Sequence, residues 1–498
     1  MSDNTNGQST NTEPVILNPM AAQVAEQYRS NTYSPVMFCG LTRIAEFAAV
    51  TIVGLACFFL YVGFSSKVWF YYPFVSLCGA AFYLAFMEIN DCYQLSALRT
   101  PLKQISRMFI AWVSAFTVLT AAAFLLKVSA DFSRGWFLLW FVSGFIILTL
   151  MRAITAYKIR LWVRDGTMER RAVIVGGGGN AETLIRSLEA QPENDIRICG
   201  IFDDRDNRRS PPIVAGYPKL GNISELVEFA RIAHIDMLIV SIPISAEERV
   251  LSLLKKLWVL PVDIRLSAHN NHLRFRPRAY SYIGNLPMLD VFDKPITDWD
   301  SVAKRIFDIV FSIIGIIIFS PIMLLTAVAI KLDSRGPVFF KQKRHGFNNE
   351  VIEVWKFRSM HHEQSDFNAK VTVSRNDPRI TRVGRFIRKS SIDELPQFFN
   401  ALGGSLSLVG PRPHAVSAIS HNLLYNEVVD GYFARHRVKP GVTGWAQING
   451  WRGEIDNAEK IRMRTEFDLY YIENWSLWFD LKILLLTPIR LLNTENAY

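Results

Sequence analysis

The sequence predicts a membrane α plus α/β protein: a four-helix transmembrane bundle, a Rossmann-like doubly wound domain, and a C-terminal α+β domain on a re-entrant membrane helix hairpin. Three observations carry this. Half of the 498 residues are hydrophobic, and they crowd into long runs in the first third plus one run near residue 315. A strand–helix alternation fills the middle of the chain. The late apolar run holds Ser320-Pro321 at its centre, between two basic flanks. A chain this long exceeds what one hydrophobic core serves, so two or three folded units are expected.

Residues 1–36 are polar and rich in Asn, Thr, Ser and Gln, without the basic-then-apolar layout of a cleavable signal. They read as a disordered cytoplasmic tail. Residues 37–155 contain four apolar stretches, 44–64, 68–87, 109–126 and 136–151, each about the length of a hydrocarbon crossing. Arg29 and Arg43 precede the first, Arg99, Lys103 and Arg107 separate the second and third, and Arg152, Lys158, Arg160 and Arg164 follow the fourth. The outer loops carry only Lys67, Lys127 and Arg134, so the positive-inside rule puts both ends in the cytoplasm.

Residues 170–273 alternate strand-like RAVIVG, helical AETLIRSLEA, strand-like RICGIFDD, helical ISELVEFARIA, strand-like DMLIVSI, a further helix and VDIRLS. That rhythm predicts a parallel, doubly wound sheet. Residues 274–300, rich in Pro, Tyr and Asp, read as a linker. In the domain 301–498, the run 306–330 has Lys304 and Arg305 on one side and Lys331, Arg335, Lys341, Lys343 and Arg344 on the other. A straight span would leave one basic flank outside, whereas a helix broken at Ser320 and Pro321 keeps both in the cytoplasm; an ordinary span bent by the proline is the alternative reading. The ending YYIENWSLWFDLKILLLTPIRLL suits an interfacial helix or a buried core helix.

The net charge of +10 flanks apolar segments and lines one C-terminal stretch instead of forming a basic tail. This favours an anionic membrane surface and phosphate-bearing substrates over nucleic acid. The five cysteines show no metal-ligand spacing and read as inert thiols of a reducing compartment.

Residues 377–414 are the richest in chemistry. Arg379, Arg382, Arg385, Arg388 and Lys389 precede the pair Asp393-Glu394 at an apparent helix start marked by Pro396. Cations beside paired carboxylates suit a pyrophosphate-plus-metal site: guanidinium forks and ammonium groups bind phosphate oxygens, one carboxylate holds Mg²⁺ and the other attacks phosphorus. A capping box, Ser391-x-x-Glu394, fits the same spacing. Further candidates are Arg412, set between prolines in GPRPH, and Lys356 and Arg358, which alternate onto one face of a strand in VWKFRSM. RHRVKPGVTGWAQINGWRGE, with Gln447 and Arg452, has the Gly, aromatic and amide content of a sugar- or base-recognition loop or of a tight structural turn.

From Lys304 onward, about two-fifths of the chain resembles the bacterial sugar transferase family, the monotopic polyprenyl-phosphate phosphoglycosyl transferases. The resemblance rests on Lys304-Arg305 with Asp308, Ser320-Pro321, KFRSM, RKSSIDELPQ, SLVGPRP and PGVTGWAQINGWRGE, occurring in order. It implies a ping-pong reaction in which Asp393 attacks the β-phosphorus of a UDP-sugar, giving an aspartyl phosphosugar and UMP, before undecaprenyl phosphate attacks that intermediate. Glu394 would hold Mg²⁺, while Lys356, Arg388 and Arg412 would bind phosphate. The four-helix start and Rossmann-like middle resemble long members of the family, and GWAQINGWRGE and WSLWFDLKIL look closest to those transferring glucose 1-phosphate in exopolysaccharide or capsule synthesis. The implied setting is a multi-pass protein of the bacterial inner membrane, its catalytic domain on the cytoplasmic face. The middle domain, without evident catalytic residues, reads as a regulatory or dimerising module, so a homodimer is expected.

A rival reading starts from VIVGGGGNAETL. Gly176 and Gly178 follow a strand and precede a helix, and Asp203 and Asp204 end the next strand, nearly completing a dinucleotide fingerprint. A membrane-anchored NAD-dependent nucleotide-sugar dehydratase or epimerase would show this too, but its Tyr-x-x-x-Lys pair is absent from the sequence. A nonenzymatic membrane scaffold would need neither the acid pair nor the arginine series.

Overall fold

The computed structural model describes residues 17–492 other than 30–33, 66–68, 95–96, 99–100, 165–167, 192–195, 207, 243–245, 268–279, 284–285, 363–376, 415–418, 421–422, 425–431 and 452–457. The chain falls into two compact units, residues 31–170 with 195–197, and the rest.

The first unit contains four long helices, Pro35–Cys57, Tyr71–Ile89, Pro101–Leu125 and Arg134–Arg164. Each contains a stretch long and apolar enough to cross a bilayer. Their interior is aromatic, with Trp112, Trp136, Trp140, Tyr72 and Tyr83 fully buried. The Trp136 indole donates to the Gly54 carbonyl at 2.9 Å and that of Trp140 to Val50 at 3.0 Å, so both polar edges are satisfied without water. Gly79 makes room for them, since a Cβ there would lie 2.4 Å from the Trp140 ring.

Arg152, which the sequence places in the basic flank of the fourth helix, is instead buried and paired with the equally buried Glu46. Its Nη1 donates to the Cys92 carbonyl at 2.8 Å, and the Tyr93 hydroxyl donates to Glu46 at 2.6 Å. Breaking a buried pair from one side leaves an uncompensated charge costing about 3–5 kcal/mol. Arg152→Ala is therefore expected to lower the thermal unfolding temperature of the detergent-solubilised protein sharply, whereas the paired change Glu46→Leu with Arg152→Met should cost far less.

The second unit opens with a helix, Pro19–Gln27, where the sequence suggested only a disordered tail. Asn18 caps it by accepting from the Ala21 N–H at 2.8 Å, and Ala21 and Ala25 are fully buried in the core of the middle domain. Two alanines four residues apart make a narrow face that fits closely against the helix Ile223–Ile232 and the neighbouring sheet, a signal hidden among polar neighbours. The Tyr28 carbonyl then accepts from Arg171 Nη1 at 2.6 Å and from the His234 N–H at 3.0 Å.

The middle domain is an eight-stranded sheet of order β3-β4-β2-β1-β5-β6-β8-β7, built from β1 (Arg170–Val175), β2 (Ile196–Phe202), β3 (Ile213–Val214), β4 (Tyr217–Gly221), β5 (Met237–Val240), β6 (Asp263–Ser267), β7 (Tyr280–Ile283) and β8 (Leu286–Phe292). β4 joins β2, and β1, β5 and β6 join one another, in parallel, as the alternation predicts. β7 and β8 add an antiparallel hairpin against β6. These strands lie in the stretch read as a linker. Leu289, Val291 and Phe292 pack on the core, and Phe292 stacks on Trp258 with ring centroids 5.7 Å apart, so apolar burial overrides the Pro- and Asp-rich composition.

The C-terminal part begins with one helix, Asp298–Asp333, which continues through Ser320 and Pro321. Lys304, Asp308, Ser312, Gly315, Met323, Thr326 and Ile330 form a buried stripe along it. After it come the antiparallel pair β9 (Phe339–His345) and β10 (Val351–Phe357), the helices Arg382–Lys389 and Gln397–Gly403, a parallel pair of short strands, Ser407–Val409 and Gly441–Thr443, and two final helices, Ala458–Glu473 and Leu477–Leu492.

Both ends of the long helix are tied to this domain. Lys304 Nζ donates to Asp480 at 2.6 Å and to the Val409 carbonyl at 2.9 Å, Arg305 donates to the Ala401 and Leu402 carbonyls at 2.6 Å each, and Asp308 accepts from the Leu408 N–H at 3.0 Å. At the far end Arg358 donates to the Ser334 and Arg335 carbonyls at 2.7 and 2.8 Å. In the last helix Asp480 is buried in this network, while Trp478, Leu485 and Ile489 are exposed.

Candidate active site

The acid pair sits where two helices meet. Thr381 starts the helix Arg382–Lys389 by accepting from the Gly384 N–H at 2.9 Å, and Asp333 accepts from the Val383 N–H at 3.1 Å. The helix ends at Ser390, and Ser391 takes a left-handed conformation, φ 59°. That turn leads into a single 3₁₀ turn, Ile392–Glu394, which presents Asp393 and Glu394 just before the helix Gln397–Gly403.

The capping box does not form. The Ser391 N–H bonds the Arg388 carbonyl, and the Glu394 carboxylate turns to two cations: Lys356 Nζ at 3.0 Å, and Arg412 through Nη2 at 2.6 Å and Nη1 at 3.3 Å. All three side chains are largely shielded, so these pairs are stronger than surface ion pairs. Burial pushes the Asp393 carboxyl up to about 6, against the pull of Lys356, Arg388 and Arg412, and the neighbouring Glu394 charge pushes the same way as burial. Of the arginine series only Arg388 adjoins this pair half-buried. Arg382, Arg385 and Lys389 are exposed, and Arg379 pairs with Asp377 at 2.6 Å.

Arg412 is held rigidly. Its carbonyl accepts from Arg435 Nη2 at 2.9 Å, and Arg435, fully buried, also binds Asp468 and His414. The basic run around Arg435 therefore folds inward to support the GPRPH loop, a role that pattern reading missed because a buried arginine looks like a solvated one in sequence. Burial and the adjacent Arg435 charge keep His414 neutral, well below the ordinary histidine range.

Gln447 lies on the short helix Trp445–Ile448 that follows the strand Gly441–Thr443, and its Oε1 is buried without a hydrogen-bond partner. Arg452 lies outside the described residues. Arg358 is a correction. Its N–H still bonds the Val338 carbonyl at 2.9 Å, next along the β9–β10 pairing, but its guanidinium turns inward to cap the Ser334 and Arg335 carbonyls ending the long helix and is not among the groups bonded to Glu394.

Among the described residues no three His, Cys, Asp or Glu side chains gather as a metal cage. Mg²⁺ does not require one, since it is bound by one or two carboxylates plus substrate phosphates, and the hard oxygens of Asp393 and Glu394 fit that mode.

The glycine loop of the middle domain is brought together as the fingerprint predicts, with Gly176 and Gly178 at φ 96° and 89°. It is closed on itself. Asp203 accepts from the Gly177 N–H at 2.6 Å, and Arg205 forks onto the same carboxylate with its Nε at 2.9 and 3.1 Å. Those bonds hold Asp203 below the usual carboxylate range despite its burial, and they occupy the loop donor that a pyrophosphate would use.

A family model described as bacterial sugar transferase matches residues 299–494, and one described as CoA-binding domain matches residues 88–268. The chain is 38% identical to an undecaprenyl-phosphate glucose phosphotransferase of Komagataeibacter xylinus, over 72% of this chain and 66% of that protein. It is 35% identical to a UDP-glucose:undecaprenyl-phosphate glucose-1-phosphate transferase of Xanthomonas campestris pv. campestris, over 78% and 80%. A protein with the same description from Escherichia coli (strain K12) is 38% identical, over 68% and 71%.

Proposed function

Since the chain belongs to the bacterial sugar transferase family, we propose that it transfers glucose 1-phosphate from UDP-glucose to undecaprenyl phosphate, giving undecaprenyl-diphosphate-glucose and UMP. The observation that carries this reading is Asp393, half-buried on a tight turn and surrounded by Lys356, Arg388 and Arg412.

The chemistry follows from those neighbours. An Asp393 carboxylate oxygen attacks the β-phosphorus, the bond to the bridging oxygen breaks, and UMP departs with that oxygen and its electron pair. A phosphate oxygen of undecaprenyl phosphate then attacks the same phosphorus and releases Asp393. Lys356, Arg388 and Arg412 stabilise the negative charge on phosphoryl oxygens in both steps. Glu394, with Asp393, would hold Mg²⁺, which when bound neutralises charge on the diphosphate.

The long helix supports placing this site at a bilayer surface. A straight helix would separate Lys304 from Ser334 by about 45 Å, more than the roughly 30 Å hydrocarbon core. Both are nevertheless bonded to one domain. A re-entrant path bent at Pro321 accords with both facts and keeps both basic flanks on the cytoplasmic face of the inner membrane. The middle domain, with its self-clamped glycine loop, then serves as a homodimerising module.

In lipid nanodiscs with Mg²⁺ and short polyprenyl phosphate, UMP release is expected with UDP-glucose and much less with UDP-galactose. Release of UDP would overturn phosphosugar transfer, and equal rates would overturn the sugar assignment.

A further inference from the structure

We infer that Asn400 is a positioning residue that sets the separation between Lys356 and the acid pair Asp393-Glu394. The inference deepens the reading just proposed and rests on it.

Among the described residues β10 pairs with β9 along one edge only, and its other edge presents backbone groups that no described strand bonds. Asn400, buried on the helix Gln397–Gly403, supplies what is missing there. Its Oδ1 accepts from the Trp355 N–H at 2.8 Å, and its Nδ2 donates to the Glu353 carbonyl at 2.7 Å. One side-chain amide thus imitates a third strand across Glu353 and Trp355. The second Nδ2 proton goes to Ser405 Oγ at 3.0 Å, which fixes the orientation of the amide.

This clamp joins the two elements whose spacing matters. Trp355 adjoins Lys356, whose Nζ bonds Glu394. The helix bearing Asn400 starts directly beyond the turn that carries Asp393 and Glu394. Lysine is a flexible point charge on a four-carbon stem, so its backbone must be held if its ammonium is to serve a fixed carboxylate. Both Asn400 donors are already engaged by the protein, and so Asn400 acts through Lys356 and not on the substrate.

The test crosses Asn400→Ala with Lys356→Ala in the full-length enzyme and follows UMP release, enzyme in excess. Asn400→Ala alone should lower kcat/KM by about tenfold or more, as losing a supporting hydrogen-bond shell does. In the Lys356→Ala background the same change should cost less than about twofold, since the positioned group is gone. Asn400→Asp keeps the shape and the bond from Trp355 but loses the donor to Glu353. It should fall between wild type and Ala, and it carries the test if the Ala variant does not fold. Equal losses in both backgrounds, or a lower melting temperature with turnover unchanged, would overturn the inference. Wild-type turnover by Asp393→Asn would instead sink the underlying reading.

Discussion

Asp393→Asn is expected to abolish turnover, by at least about a thousandfold, while leaving a protein no less stable than wild type at pH 7. The first half follows from covalent catalysis, since an amide cannot take the phosphosugar, and losing a nucleophile removes most of the rate. The second follows from linkage. The unfolded chain gives up this proton near the ordinary carboxylate value, whereas the folded chain holds it up to about 6. Between those values the native state binds more protons, so stability falls as pH rises through them, and above pH 6 the ionised carboxylate burdens the fold. A neutral Asn removes that burden. Phosphosugar labelling of wild type by UDP-glucose, none of the variant, and a melting temperature at pH 7 equal to or above wild type is the expected set. A wild-type rate in the variant would eliminate Asp393 as nucleophile.

The same shift sets the pH profile. The carboxylate must be ionised to attack, so kcat/KM for UDP-glucose should fall about tenfold per unit as pH drops below about 6. An ordinary exposed aspartate would hold its rate about two units lower.

The fold was legible where a periodic pattern and its physical cause coincide. Apolar stretches of bilayer length reported the membrane helices, and strand–helix alternation reported the parallel strands β1, β2, β5 and β6. It failed where burial, not pattern, decides. Ala21 and Ala25 look like tail residues until a sheet packs on them, and Leu289 and Phe292 are diluted by Pro and Asp. At the site, the adjacency of Asp393 and Glu394 and the prolines around Arg412 are local features, so sequence exposed them. Arg358 was misplaced because alternation fixes the side of a strand but not the partner that a long side chain reaches, here the carbonyls of Ser334 and Arg335. Asn400 was passed over because an asparagine that mends a strand edge is defined by a partner some 45 residues away in sequence. Glu46 and Arg152 escaped for the same reason, being separated by 106 positions.

Glu394→Gln should cost about a hundredfold or more in kcat, the range for losing one preorganised charged group, and it should move the acid limb of the pH profile downward. Glu394 is the anion on which Lys356 and Arg412 converge, at 3.0 and 2.6 Å. Neutralising it leaves Gln as a weaker acceptor and removes the one like charge that raises the Asp393 pKa, while both cations stay near. Asp393 then ionises at lower pH and the acid limb shifts downward. Its nucleophilicity falls with its basicity, and the divalent ion loses a carboxylate ligand, so turnover drops although the ionised fraction rises. An Mg²⁺ titration followed by UMP release should show a raised half-saturation, and tryptophan fluorescence without substrate should show the same weakening if Glu394 binds the ion directly. A downward limb with unchanged Mg²⁺ dependence would make Glu394 an electrostatic partner of the two cations and no metal ligand.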